Sequence, residues 1–129
     1  KQMQDAGPAG WHIPNKEEWE TLLDNMGGID SAGYRLKSTS GWIPLNPGQV
    51  SNGTDDCGFL LLPIPTSGTG ANHFYSKLFD GYVALFWTGH PIDEDNRSTL
   101  GVLFETQNTN AFITRYYHDD YLSIRCVKD

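Results

Sequence analysis

The chain has 129 residues, enough for one domain with a single core and too few for two. A formal net charge of -7 and a pI near 4.8 exclude the clustered Lys and Arg on which nucleic-acid binding rests, and they disfavour anionic membranes likewise. No apolar run approaches the roughly 18 residues needed to span a bilayer, while Gly 14, Pro 7 and 12% aromatics predict many turns, little helix and an aromatic-rich core.

Residues 1–8 read as an N-terminal extension, because Lys1-Gln2-Met3-Gln4-Asp5 is neither an initiator methionine nor a signal peptide; the whole chain is then one domain in trimmed or mature form. Gly10-Trp11-His12-Ile13-Pro14 forms a short strand, with His12 pointing opposite Trp11 and Ile13, half-exposed or bound to backbone. Asn15 is a good N-cap and Glu18 completes a capping box. Trp19, Leu22, Leu23 and Met26 then recur on one face, predicting a helix over 15–26 that Gly27-Gly28 stops and Ile29 closes over. Asp30 or Ser31 caps a shorter second helix over about 31–38, with Ala32 and Leu36 turned inward.

From 38 to 56 the glycines and prolines predict a long ordered loop pinned by Trp42, followed by a short buried strand over 57–65. A Gly-rich turn at 66–70, in which Ser67 is a turn residue and not a nucleophile, leads to Phe74, Tyr75 and Phe79. Strand patterns then cover 82–88, 99–107, 111–118 and 121–127. Turns at Gln107-Asn108-Thr109-Asn110 and His118-Asp119-Asp120 make the last three an antiparallel meander, with Leu122, Ile124 and Cys126 on the inner face. Arg125 lies on the outer face, where an internal ion pair is favoured over a partner.

These residues carry a family resemblance. Gly10-Trp11-His12-Ile13-Pro14 with Glu18-Trp19, Leu36-Lys37-Ser38 before Gly41-Trp42, Asn52-Gly53-Thr54-Asp55 before Gly58-Phe59, Leu62-Pro63, Gly81-Tyr82 and the closing Ser123-Ile124-Arg125-Cys126-Val127-Lys128-Asp129 resemble the Fibrobacter succinogenes major paralogous domain. The resemblance spans nearly the whole chain. It implies an α+β, C-type-lectin-like fold: two N-terminal helices on a small twisted antiparallel sheet, adjacent termini and long ordered loops. It also implies an exported or surface protein of Bacteroidetes-type bacteria, often a lipoprotein anchored upstream, with no general enzymatic activity.

Two departures stand out. Phe86-Trp87-Thr88-Gly89-His90 replaces a common Trp-Ser-Ser run, and Gly7 stands near where relatives often carry a cysteine, so the disulfide from the N-terminal segment to the last strand cannot form. Cys57 and Cys126 remain as the available pair; two free thiols are the favoured reading and a disulfide the alternative.

No catalytic constellation emerges. His12, His73, His90 and His118 lack zinc spacing, no nucleophile elbow or phosphate loop is present, and the cysteine pair of the distantly related formylglycine-generating enzyme has no counterpart. Asp93-Glu94-Asp95-Asn96 resembles in position a lectin calcium loop, but Glu-Pro-Asn and Trp-Asn-Asp are missing, so a solvated turn and no cofactor are expected, with Ca2+ as the alternative.

The expected binding surface combines the loop after 82–88 with the turns of the final meander: His90, Asp93, Asp95, Asn96 and Arg97, then Asn108 and Asn110, then Tyr116, Tyr117, His118, Asp119 and Asp120. Flat amphipathic rings beside short polar groups suit sugar stacking and protein paratopes alike. For each tyrosine, covering the sheet is an equal alternative. The expectation is a non-catalytic recognition domain that binds a glycan or a protein, in one form a diversified binding scaffold or adhesin. A passive assembly module of a surface lipoprotein or appendage is the alternative.

Overall fold

The computed structural model describes residues 7–63, 81–91, 98–117 and 123–129, with backbone alone for His90, Pro91 and Tyr117. The elements are β1 (Trp11–His12), α1 (Lys16–Asn25), α2 (Ile29–Leu36), β2 (Val83–Pro91), β3 (Ser98–Glu105), β4 (Ala111–Tyr117) and β5 (Val127–Lys128). β2, β3 and β4 form an antiparallel sheet in that order, and β1 pairs antiparallel with β5.

α1 starts as its sequence demands. The Asn15 side chain accepts from Glu18 N at 2.8 Å and the Glu18 carboxylate accepts from Asn15 N at 3.0 Å, closing a reciprocal capping box. It ends at Asn25; Gly27, just past the Met26 cap, takes a φ of 90° that suits a residue without Cβ, and Gly28 N donates back to Leu23 O at 2.9 Å.

α2 covers 29–36, not 31–38. Gly28 occupies its N-cap, and Ser31, expected as a possible cap, instead donates from its hydroxyl to Met26 O at the end of α1. Lys37 leaves the helix because its backbone bridges to Leu61. The Asn52-Gly53-Thr54-Asp55 stretch explains this early stop: Thr54, Asp56 and Asp55 donate their N–H groups to Tyr34, Arg35 and Lys37 carbonyls at 2.9 to 3.1 Å, and Leu61 N serves Leu36 O. The orphan carbonyls of the last helical turn are thereby satisfied.

Trp42 pins the long loop as expected, 3% exposed, with its indole donating to Leu61 O at 3.1 Å and its own N–H donating to Asn52 Oδ1 at 3.0 Å. The strand expected from residue 57 is reduced to one bridge at Leu61, because Asp55, Gly58 and Leu60 all take positive φ. Such backbone cannot continue a pleated ladder.

The expected meander is corrected too. β3 and β4 pair as foreseen, but the third member of the sheet is β2, and the terminal segment lies on the other side of β2. There Ser123 N donates to Leu85 O at 2.9 Å and Trp87 N to Ser123 O at 3.0 Å, a parallel contact that a tight turn from β4 cannot make. Residues 124–126 belong to no ladder, so strand alternation does not govern them. Ile124 is accordingly 53% exposed and Cys126 half-buried, not both inward.

The sheet is packed on both faces. Ala84, Phe86, Val102 and Phe104 meet Trp19, Leu23, Ala32, Leu36, Trp42 and Leu61 on one face. Val83, Leu85, Trp87 and Tyr116 cluster on the other. Trp19 lies 5.6 Å from Phe86 and 6.4 Å from Phe104 between ring centres, and each such buried side chain contributes about 1.5–3 kcal/mol.

Lys37 is the unforeseen core residue. Fully surrounded at 2% exposure, its ammonium donates to Glu105 O and, at 2.7 Å, to Asn108 O, and sits 4.7 Å above the Trp42 ring. It staples the end of α2 to the β3–β4 turn. Gly33 allows the same approach: any Cβ there would strike the Asn110 carbonyl.

Candidate functional site

The ends of the domain meet at a clasp. β1 and β5 pair Trp11 with Lys128 and His12 with Val127, which sets the His12 ring between two carboxylates. Nδ1 lies 2.6 Å from Asp129 Oδ1 and Nε2 lies 2.8 Å from Glu18 Oε1. Both ring nitrogens thus donate in the protonated form, and Asp129 first and Glu18 second hold the imidazole pKa above its usual 6.5. The expected exposure of His12 is close to what is found, but its partners are carboxylates and not backbone.

Beside the clasp lies a hollow of about 610 Å³, bordered by Trp11, Leu60, Leu62, Phe86, Ser123 and Ile124. Its rim is unusually apolar: Trp11 is 45% exposed, Leu60 52%, Leu62 54% and Ile124 53%. Leu60 is displayed by a left-handed backbone, φ 53°, that the Asp55 carboxylate holds by accepting from Leu60 N at 2.8 Å. A bulky residue in that conformation is an outlier that surrounding structure must maintain.

Arg125 separates this hollow from a second one of about 390 Å³ between α1 and the terminal segment. Its guanidinium carbon stands 3.9 Å over the centre of the Phe59 ring. The internal ion pair expected for it is therefore replaced, among the described residues, by a cation–π contact. Trp19, Leu22, Phe59 and Val127 form the apolar wall of the second hollow, with Glu18 and Asn25 at its polar side.

Cys57 is exposed and Cys126 half-buried, and both are free thiols. Gly7 stands against Cys126: a Cβ on Gly7 would be 3.2 Å from Sγ.

The surface expected from the sequence is divided by the fold. His90 is in β2 and Tyr117 in β4, both near the end of the sheet where Pro91 pairs with Thr99 and Ser98 with Tyr117. Asn108 and Asn110 sit at the opposite end of β3, roughly 23 Å away at about 3.3 Å per residue. They do not join that patch. Asn108 O accepts from Lys37, and Asn110 Nδ2 donates to Asp30 Oδ1 at 3.2 Å, docking the turn on α2.

Tyr116 is 8% exposed and meets Trp87 edge-on at 6.4 Å, so of its two expected roles it takes that of sheet cover. Asp93, Asp95, Asn96, Arg97, His118, Asp119 and Asp120 lie outside the described residues, as does the calcium alternative. Among the described residues, no group of three or more His, Cys, Asp or Glu side chains is placed to hold a metal ion. No helix among them is long and apolar enough to cross a membrane.

Sequence reasoning missed the apolar rim because exposure of Trp11, Leu60 and Ile124 follows from irregular backbone, which periodicity does not read. One signal was available: Leu60-Leu61-Leu62 places three leucines in a row, and an extended stretch turns neighbouring side chains to opposite faces, so at least one of them must be left outside the core.

A small α+β domain with paired chain ends, two helices and an antiparallel three-stranded sheet is thus defined. The model of the Fibrobacter succinogenes major domain matches residues 1–128, and the chain belongs to that family. Among curated proteins and among solved structures, nothing matches the chain.

Proposed function

We propose that the chain is a non-catalytic recognition domain of an exported or cell-surface bacterial protein, built on a variant of the C-type-lectin-like fold. Paired ends and two helices beside a small antiparallel sheet support that fold reading. One observation carries the functional reading: Trp11, Leu60, Leu62 and Ile124 stand about half exposed around one hollow on a scaffold clasped directly beside it. Grouped exposed apolar side chains mark sites of contact with other molecules, and aromatic anchors of this kind dominate binding energy. The ligand is a protein or a glycan. Residues 92–97 and 118–120, which lie outside the described residues, are the alternative polar contact region.

Glycan and protein arrays probed with and without calcium test this. The wild type is expected to retain a ligand that Trp11→Ser and Leu62→Ser release while the melting temperature stays unchanged. A ligand lost on Tyr117→Ala or Asp119→Ala but kept by Trp11→Ser would move the site to the sheet-end loops. Finding no ligand on either array would favour a passive assembly module of a surface lipoprotein or appendage.

A further inference from the structure

We propose that the hollow between α1 and the terminal segment is a separate site for a small carboxylate with an apolar body, of the arylalkanoate or fatty-acid type. The hollow measures about 390 Å³, within the size range of small-molecule pockets. Its wall is aromatic and aliphatic, formed by Trp19, Leu22, Phe59 and Val127. Two features in that wall then specify the chemistry of the occupant.

The first is Arg125. Its guanidinium carbon stands 3.9 Å over the centre of the Phe59 ring and the group has no ion pair among the described residues, although the chain as a whole carries a net charge of -7. A cation–π contact holds the group without using its N–H donors in an ion pair, and carboxylates match that fork with two parallel hydrogen bonds. Glu18, the acid that lines the same hollow, is already engaged: its carboxylate accepts from His12 and from Asn15 N. A carboxylate arriving from outside therefore complements a cation that has no ion-pair partner among the described residues.

The second is Trp19. Its ring forms part of the wall, it is 2% exposed, and its indole N–H is buried without an acceptor among the described residues. Buried indole donors ordinarily find a partner, and one left without costs free energy that a bound acceptor removes. An occupant with a hydrocarbon body alone satisfies neither group. An amphiphilic cation meets Arg125 with like charge. A carboxylate on an apolar body brings acceptor oxygens and fills the space along Leu22 and Phe59.

The site differs from the Trp11 hollow and does not depend on it, though the two share Arg125 and Cys126 at their border. Phenylbutyrate, phenylbutanol and phenylbutylammonium are titrated into the protein by calorimetry and by nitrogen–proton correlation spectra, with the Trp19 indole resonance assigned through Trp19→Phe. Phenylbutyrate is expected to bind saturably, to shift the Trp19 indole resonance, and to bind at least about tenfold more tightly than the other two. Arg125→Gln should abolish that preference, and Leu22→Trp, which fills the hollow, should abolish binding in a protein whose melting curve shows it folded. Trp11→Ser should leave the affinity unchanged.

Equal binding of the three headgroups, carboxylate binding indifferent to Arg125→Gln, loss of binding in Trp11→Ser, or no saturable binding of phenylbutyrate would each overturn the assignment. A protein that binds phenylbutyrate here yet captures no macromolecule would leave this site standing and remove the other reading alone.

Discussion

His12 and Asp129, 117 positions apart in the chain, are joined ring nitrogen to carboxylate at 2.6 Å, and the same ring reaches Glu18 inside the capping box of α1. One imidazole thereby ties β1, the start of α1 and the final residue together. The clasp adjoins the exposed hollow, because Trp11, which lines it, and His12 share the two-residue strand that pairs with β5.

A pH dependence follows with a definite sign. The folded imidazole titrates above the unfolded value of 6.5, so folding takes up a proton between the two values. The stabilisation is fully present below pH 6.5, above the ordinary carboxylate range, and is lost as pH rises through the raised folded value. Melting temperatures of wild type and His12→Gln should converge across that window. Curves that stay parallel through it, or a His12 resonance titrating at or below 6.5, would contradict the clasp.

Lys37 makes the opposite prediction. Burial lowers its pKa from 10.5 to about 8, against a smaller raising influence from Glu105. The unfolded chain thus binds more protons than the folded one between those values, and stability attributable to this group rises with pH from about 8 to 10.5. Lys37→Met keeps the apolar stem over Trp42 but strips the donors from Glu105 O and Asn108 O. It should destabilise the domain by about 1–3 kcal/mol at neutral pH, the cost of buried unpaired carbonyls. Urea titrations should show the gap between the two proteins widening as pH passes through the window; a constant gap would mean that burial does not lower the Lys37 pKa.

The legible parts of this chain are those governed by local rules. The capping box at Asn15 and Glu18, the amphipathic face of α1, Trp42 as the anchor of the long loop and the β3–β4 hairpin all follow from spacing over a few residues. Long-range choices were not so readable. Whether residues after β4 would turn back onto β4 or cross to β2 depends on which sheet edge is left open, and nothing in Ser123 records that edge. No sequence pattern marks Lys37 for the core, because its partners are backbone carbonyls, which every residue carries. The proposed surface split because Asn108 and Asn110 belong to a turn at one end of β3, whereas His90 and Tyr117 belong to the other. Turn composition marks a loop as polar without marking the end of the sheet on which it falls.

Gly7 offers a direct test of the seam between the chain ends. A Cβ at this position would stand 3.2 Å from Cys126 Sγ, near the spacing that a disulfide imposes between one Cβ and the far sulfur. The Trp11 carbonyl, 2.9 Å from the same point, must give way slightly. In a Cys57→Ser background, which prevents mispairing, Gly7→Cys should oxidise with Cys126 and close a loop that takes in nearly the whole chain. The chain-entropy model assigns such a loop about 4–5 kcal/mol, reduced by whatever strain the Trp11 carbonyl introduces. Thiol counting should show both cysteines consumed, and the melting temperature should rise and fall back when reductant is added. Two thiols that remain free under oxidising conditions would place the segment before Trp11 farther from the terminal strand than the structure has it.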